Sequence, residues 1–124
     1  MKDQKSKNLD LLLDEARRAS AKGDLEGAVK ILSKLAEDYP DDTTVRFSYA
    51  ACLFRLRCFA EVIPHFTRIL EVQPTNEWAS LGLFHSLWQI DRKREAAKEF
   101  KRFRAAGGES MEYRRLIKDL RKFL

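Results

Sequence analysis

The chain has 124 residues and a net charge of +5, and its 44% hydrophobic and 35% charged residues predict one soluble domain with a continuous core. No apolar run approaches the roughly 18 residues that a membrane span needs. The lysine-rich start, residues 1–8, lacks the apolar block of a secretory signal. We therefore expect a cytoplasmic protein without a membrane partner.

A 34-residue spacing organises the sequence. Pro40 and Pro74 lie 74 − 40 = 34 residues apart, and alignment on them gives three repeats without insertion or deletion, 9–42, 43–76 and 77–110. Apolar residues recur with a period near 3.6, so we predict an all-α chain of about seven helices.

Repeat 1 follows a flexible tail, predicted over residues 1–8. Asn8 or a neighbour can cap a first helix that ends near Ala21, and Gly23-Asp24 turns the chain. The second helix has a predicted buried stripe of Leu25, Ala28, Val29, Leu32, Leu35 and Ala36.

Repeat 2 predicts a similar helix pair. The apolar faces are Phe47, Ala50, Ala51 and Phe54 in the first helix, and Val62, Ile63, Phe66, Ile69 and Leu70 in the second. We expect Pro64 in the first turn of its helix, where its missing N–H has no partner to lose.

Repeat 3 predicts helices over residues 77–90 and 94–105. After Gly107-Gly108, Ser110 can cap a last helix within residues 111–124. The apolar stripe of that helix is Met111, Leu116, Ile117, Leu120 and Leu124. We expect this helix to cover the end of the array, because the last repeat of a stack otherwise exposes apolar surface.

The aligned positions carry a family resemblance. The first repeat has Ala16, Ala28, Leu32 and Pro40 at the aligned positions. The second repeat has Ala50, Val62, Phe66 and Pro74 there, and the third has Phe84, Ala96, Phe100 and Gly108. This pattern resembles the tetratricopeptide repeat, which has small residues where two helices cross and a closing proline. The resemblance implies a right-handed superhelical stack of three helix-turn-helix repeats, capped by residues 111–124. The third repeat departs at Phe84 and Gly108.

In the family that the chain resembles, the first helix of each pair lines a concave face that holds a peptide or helix of a partner. The inner positions of this sequence are Leu13, Arg17, Phe47, Ala51, Phe54, Arg55, Trp78, Leu81, His85, Trp88 and Gln89. The Lys, Asn and Arg set of the carboxylate-binding variant is absent, so only Arg17 and Arg55 are expected to meet a partner's acid.

An aromatic stripe dominates these inner positions. Trp78, Leu81, His85 and Trp88 recur at spacings of 3, 4 and 3 and share one helix face. Such stripes are commonly core. Here a separate face of Ala79, Leu83, Phe84 and Leu87 is available for packing, which favours a partner for the stripe.

Charge is concentrated at the carboxy-terminal end. Residues 92–124 have 12 basic and 5 acidic side chains, a net of +7, against −2 for residues 1–42 and 0 for 43–91. The basic patch is Arg114, Arg115, Lys118, Arg121 and Lys122. It predicts, as an alternative function, binding of nucleic acid or of an acidic protein. The third interpretation is that these charges form an ordinary solvated helix face. Exposed helices commonly mix charges of both signs, as here, where Glu95 and Glu99 lie among Lys98, Lys101, Arg102 and Arg104.

Catalysis has no support in the sequence. There is no glycine-rich phosphate loop, no nucleophile elbow and no HExxH, and we predict no cofactor and no metal. Cys52 and Cys58 are predicted to be buried or half-buried free thiols, and His65 lacks metal partners at suitable spacing.

Together these features predict a non-catalytic adaptor that binds another protein or peptide in an aromatic groove. Bacterial proteins of similar size and repeat type include secretion chaperones and toxin-immunity proteins. The alternatives are nucleic-acid or acidic-protein binding through the basic helices, and a homo-oligomeric scaffold.

Overall fold

The computed structural model describes residues 4–121, apart from the side chains of residues 5 and 6. This range contains seven α-helices and no strand, which confirms the predicted all-α class. The helices are α1 (Gln4–Ala21), α2 (Leu25–Asp38), α3 (Thr43–Arg55), α4 (Phe59–Val72), α5 (Glu77–Gln89), α6 (Lys93–Ala105) and α7 (Met111–Leu120). The chain divides into two compact units, an amino-terminal unit (Met1–Arg57) and a carboxy-terminal unit (Cys58–Leu124), which are described separately.

The 34-residue period is visible in the helix caps. Asp42, Asn76 and Ser110 cap α3, α5 and α7, and each side chain accepts a hydrogen bond from the N–H three residues later, at 3.0, 2.8 and 3.1 Å. Their spacing is 76 − 42 = 34 and 110 − 76 = 34 residues. Helix α7 therefore begins in register as the first helix of a fourth repeat.

The turn inside each repeat has the same period. Gly23, Arg57 and Asp91 adopt positive φ angles of 87°, 63° and 61°, at intervals of 57 − 23 = 34 and 91 − 57 = 34 residues. Only the first is glycine, the residue that adopts this conformation without strain. The turn geometry thus repeats even where the residue that favours it does not.

In the amino-terminal unit, α2 packs against both α1 and α3. The core consists of buried apolar residues from all three helices: Ala16, Ala28, Leu32, Leu35, Val45 and Cys52. Cys52 is buried and Cys58, in the other unit, is half-buried, as predicted, and neither forms a disulfide bond. Burial raises the pKa of the Cys52 thiol, while Ser20 and Arg55 oppose that rise.

In the carboxy-terminal unit, α5 packs against both α4 and α6. Its largest fully buried side chains include Phe66, Ile69, Phe84, Phe103 and Tyr113. Gly82 of α5 allows the Phe66 ring to lie against the helix backbone, since a Cβ atom at this position would come within 2.4 Å of that ring. The predicted core residues of α5, including Leu83 and Leu87, are buried.

A buried carboxylate joins α5, α6 and α7. Glu99 is 6% exposed, forms an ion pair with Arg102 at 2.6 Å and accepts a hydrogen bond of 2.5 Å from the Ser80 hydroxyl. The Tyr113 hydroxyl lies 2.8 Å from Ser80 Oγ and donates to the Ser80 carbonyl oxygen at 3.0 Å. Arg102 also donates to the Pro74 carbonyl at 3.0 Å. We call Ser80, Glu99, Arg102 and Tyr113 the polar cluster.

The interpretation of α6 as a solvated charged face is wrong at two positions. Glu99 is buried and Arg102 is only partly exposed. The signal was present in the spacing, because Glu99 follows the buried Ala96 by three residues and precedes the buried Phe103 by four, and such positions share one helix face.

We expect Tyr113→Phe to lower the free energy of unfolding by about 1–2 kcal/mol, because the ring still packs while Ser80 loses a hydrogen-bond partner. Burial raises the pKa of Tyr113 above its ordinary value of 10.0. The neutral phenol therefore contributes its full stability at pH values below about 10, the pKa of a tyrosine in the unfolded chain. This contribution is lost as the pH rises towards the higher pKa of Tyr113 in the folded protein.

Urea unfolding at neutral pH and in an alkaline series measures both effects. The difference in stability between wild type and Tyr113→Phe should shrink above pH ~10. Identical unfolding curves for the two proteins at every pH would contradict this role of the hydroxyl.

Two predicted helix starts differ from the structure. Helix α1 begins at Gln4, so residues 4–8 of the predicted tail are helical, and Asn8 does not cap the helix. Its side-chain oxygen instead accepts a 3.0 Å hydrogen bond from Gln4, one turn earlier. Pro64 is the sixth residue of α4 and lies beyond the first turn. The missing N–H leaves the Ala60 carbonyl without its helical donor, and Ala60 is exposed, so water can replace that donor.

The last helix also differs in detail. Ser110 caps it as predicted, but Met111 is 60% exposed, and Tyr113 is the buried anchor. Leu116, Ile117 and Leu120 are half-buried, while Leu124 of the predicted stripe lies outside the described residues, as does Lys122 of the basic patch. Position 113 is buried because the rings of Phe100 and Phe103 lie against it, with centroids 5.1 and 5.2 Å away.

Two features are absent from the described residues. None of the helices within residues 4–121 is long and apolar enough to cross a membrane. In the same range, no group of His, Cys, Asp or Glu side chains is arranged to hold a metal ion.

Candidate functional site

The residues of α5 divide between a buried face and an open face. The buried residues are Ala79, Ser80, Gly82, Leu83, Phe84, Ser86 and Leu87. The predicted inner residues are exposed or half-buried: Trp78, Leu81, His85, Trp88 and Gln89. We call these five residues the α5 face. Since residues 78–90 include no Asp, Glu, Lys or Arg, the α5 face has no permanent charge.

Trp78 lies at the start of α5, directly after the cap residue Asn76 and the first helical residue. Its side chain is 40% exposed. The ring meets Phe66 of α4 edge to face, with centroids 5.2 Å apart and planes at 77°. Because Phe66 is held in the core, this contact fixes one edge of the indole while much of its surface remains open.

Trp88 lies three turns later on the same face. The half-buried indole stacks on the buried Phe84 ring, with centroids 5.8 Å apart and planes at 14°. The Lys93 ammonium at the start of α6 lies 5.2 Å from the ring centroid, a cation–π distance. Lys93 could not be assigned to this ring from the sequence, because only the turn between α5 and α6 brings it there.

Leu81 and Gln89 complete the α5 face together with His85. Leu81 is half-buried, Gln89 is exposed, and the His85 ring meets Phe84 edge to face with centroids 6.0 Å apart. Partial burial lowers the pKa of His85 below its ordinary value, because it disfavours the charged imidazolium. This shift favours an uncharged α5 face.

In the amino-terminal unit, four predicted inner residues surround one depression of about 180 Å³: Leu13, Arg17, Ala51 and Arg55. Phe47 and Phe54 are half-buried and do not line it. Both arginines have partners within the unit. Arg17 forms an ion pair with Asp14 at 3.5 Å, and Arg55 donates to the Ser20 hydroxyl at 2.8 Å.

The basic patch is only partly one surface. Arg114, Lys118 and Arg121 are exposed and line a groove between α6 and α7. Arg115 is exposed elsewhere on α7 and forms an ion pair with Glu112 at 3.6 Å. The sequence predicted one patch for all of these cations. The packing of α7 on α6 places Arg114, Lys118 and Arg121 in the groove and leaves Arg115 outside it.

Comparison with known proteins gives structural neighbours only. No family model and no curated protein sequence matches the chain. Among solved structures, a MamA point mutant is 26% identical with a TM-score of 0.70, over 79% of this chain and 72% of that one. A structure of MamA AMB-1 is also 26% identical with a TM-score of 0.70, over 79% of this chain and 58% of that one.

A third neighbour, MamA MSR-1, has a TM-score of 0.73 at 19% identity, over 82% of this chain and 59% of that one, and shows the fold alone. The chain thus spans only somewhat more than half the length of two of these three structures. MamA is a tetratricopeptide-repeat protein, and its fold is that of a protein-interaction or scaffold module. The seven helices and their 34-residue period match the tetratricopeptide-repeat fold of these neighbours.

Proposed function

We propose that the chain is a non-catalytic adaptor and that its α5 face binds another protein. The observation that carries the proposal is that Trp78 is 40% exposed and Trp88 is only half-buried, on a helix whose opposite face already packs in the core. A helix that is apolar around its whole circumference is normally buried. The open side of α5 therefore has the composition of an interface core, which is rich in aromatic residues and depleted of charge.

The energetics of interfaces favour the same residues. Tryptophans at the centre of a protein interface commonly cost about 2 kcal/mol or more when truncated, whereas exposed ion pairs contribute at most about 1 kcal/mol. Trp78 and Trp88 are held by Phe66 and Phe84, so little side-chain entropy remains to be lost on binding. A partner would gain most of its affinity from these two rings.

The depression of the amino-terminal unit is a second region that we propose for partner contact. Leu13 and Ala51 supply apolar surface there, and Arg17 and Arg55 are the cations that an acidic side chain of the partner would meet. Because both arginines already have partners within the unit, their exchange for a ligand's carboxylate would gain little free energy. We therefore expect this region to affect specificity more than affinity.

The double variant Trp78→Ala with Trp88→Ala tests the α5 face. We expect capture of a partner on immobilised protein to fall roughly 30-fold or more, the equivalent of about 2 kcal/mol, with helicity retained. Capture is measured by mass spectrometry of retained proteins, and helicity by circular dichroism. Val72→Ala is the matched control, because Val72 is 58% exposed on α4 in the same unit and should leave capture unchanged.

The retained protein would also distinguish finer roles. A secreted effector would indicate a secretion chaperone, a toxin would indicate an immunity protein, and a second copy of the chain would indicate a homo-oligomeric scaffold. Equal capture by wild type and the double variant would contradict the proposed role of the α5 face.

A further inference from the structure

The groove between α6 and α7 occupies a place where the repeat geometry puts a helix. Ser80 of α5 donates a hydrogen bond to Glu99 of α6. The residues on this face of α5 are all buried: Ser80 is 0% exposed, Leu83 8%, Phe84 0% and Leu87 5%. Adding 34 to these numbers gives the corresponding residues of α7: Arg114, Ile117, Lys118 and Arg121. All four line an open groove of about 710 Å³.

This groove differs from its counterpart on α5 because nothing within residues 4–121 covers it. Helix α7 begins in register with α3 and α5, but no second helix follows it in the described chain. Ile117 is half-buried and the three basic residues are exposed, although their counterparts on α5 are buried. Within residues 4–121, the structure thus presents the packing face of a first helix with no second helix on it.

The groove has an apolar floor and a basic rim. Phe100 of α6 and Ile117 of α7 contribute apolar surface, and the buried Tyr113 closes the bottom. The charged lining residues are Arg104, Arg114, Lys118, Arg121 and Glu109, a net charge of 4 − 1 = +3. A ligand that fits must therefore combine apolar groups with negative charge.

The spacing of the cations points to a helix. Residues 114, 118 and 121 are separated by 4 and 3 positions, so their side chains follow one face of α7. The second helix of a repeat runs antiparallel to the first and has the same rise of about 1.5 Å per residue. Carboxylates separated by 3 and then 4 positions would therefore match the cations along two turns. Apolar residues between the carboxylates would reach the floor.

A nucleic acid fits this groove less well. Base recognition on single strands commonly uses an open aromatic face for stacking. The only aromatic ring of α6 that could serve, Phe100, has the Arg104 guanidinium 5.6 Å from its centroid and the Tyr113 ring 5.1 Å away. A phosphate backbone would use the basic rim but leave the apolar floor without a partner.

We propose that the α6–α7 groove binds an acidic amphipathic helix of a partner protein, which takes the place of the second helix of the fourth repeat. This site is separate in sequence from the α5 face. It requires carboxylates at i, i+3 and i+7, the reverse order of the cations, with leucine-like residues between them.

A synthetic peptide tests the proposal directly. The probe is a fluorescein-labelled peptide of about 18 residues, long enough to form helix, with Glu and Leu on one face and Ala and Gln elsewhere. We expect fluorescence anisotropy to show saturable binding to the whole chain that weakens with added salt. A scrambled peptide of the same composition, with its Glu residues spread around the helix, should bind at least tenfold more weakly.

Charge reversal locates the site. Lys118→Glu with Arg121→Glu should weaken peptide binding by tenfold or more, because both residues line the groove and are exposed, so the fold should be unaffected. Lys98→Glu with Lys101→Glu is the matched control, with the same change in net charge on exposed positions of α6 outside the groove. Circular dichroism verifies that both variants remain folded.

Several outcomes would overturn the proposal. Equal loss of binding in both charge-reversal variants would indicate only a general charge effect. Equal binding of the ordered and scrambled peptides would remove the requirement for a helix. Binding of a labelled RNA oligomer that depends on Lys118 and Arg121, without peptide binding, would assign the groove to nucleic acid. A dimer in sedimentation that is lost with the same two residues would assign it to a second copy.

Discussion

Glu99→Ala is expected to lower the free energy of unfolding by about 3 kcal/mol, the largest effect of any polar substitution in the described chain. The Glu99 carboxylate is buried and forms bonds to both Arg102 and Ser80. Its removal breaks the hydrogen bond from the Ser80 hydroxyl, which then has only the Tyr113 hydroxyl beside it, and leaves the Arg102 guanidinium, only partly open to water, without its counter-charge. The cavity left by the side chain adds to the cost.

A second glutamate of the same helix provides the control. Glu95 forms an ion pair with Arg92 at the same i, i+3 separation, but both side chains are about half exposed. We expect no measurable change for Glu95→Ala, since water replaces the lost partner. Urea unfolding of the two variants measures the contrast, and equal losses for both would show that burial of Glu99 is not the source of its contribution.

Gly82→Ala is expected to destabilise the protein by about 2–3 kcal/mol, although alanine has the higher helix propensity. The added Cβ atom would lie 2.4 to 2.8 Å from atoms of the Phe66 ring, which is 1% exposed and packed in the core. The ring must shift or α5 must move away from α4. Because Phe66 also supports Trp78, we expect the emission of Trp78 to change in the same variant.

Gly27→Ala is the matched control for this clash. Its Cβ atom would come within 2.2 Å of the Asp24 carboxylate, which is an equally short approach. The Asp24 side chain is exposed and can rotate away, so the lost cap bond and the gained helix propensity should offset each other to within about 1 kcal/mol.

A double-mutant cycle then isolates the contact. Phe66→Leu should remove part of the cost of Gly82→Ala, because the smaller side chain leaves space for the Cβ atom. Additive losses in the double variant would show that the ring is not the obstacle. Thermal and urea unfolding of the four proteins in the cycle provide the measurement.

Two aromatic rings contribute both to the stability of the carboxy-terminal unit and to the geometry of the α5 face. Phe66 and Phe84 are core residues, and each also supports one tryptophan. A substitution that moves either ring therefore changes the geometry of the proposed binding surface as well as the core. Variants that test binding should accordingly replace the tryptophans themselves, which leaves the supporting rings in place.

Local chemistry was predictable where it depends on near neighbours in sequence. The cap at Ser110 and the turn at Gly23 follow from residue type, because a short polar side chain reaches an N–H three residues away and glycine tolerates positive φ. Arg57 and Asp91 carry the same turn without that signal. At these two positions the turn follows from the 34-residue period and not from the residue type.

Burial was predictable only where spacing and residue type agreed. Leu83 and Leu87 are apolar, lie on the packing face and are buried. Glu99 lies on the packing face of α6 but is charged, so composition suggested solvent and the fold contradicted it. A charge can be buried only if partners converge on it, and those partners come from α5 as well as from α6 itself.

The all-helical class, the number of helices and the 34-residue period were predictable from the residues, because periodicity, caps and turns are encoded within a few residues of each other. Only the packed helices show which polar groups meet in the core, how Phe66 and Phe84 hold the tryptophans, and which basic residues share a groove with Phe100. These depend on the contact of helices that are distant in sequence, and contacts of that kind are set by packing rather than by local propensity.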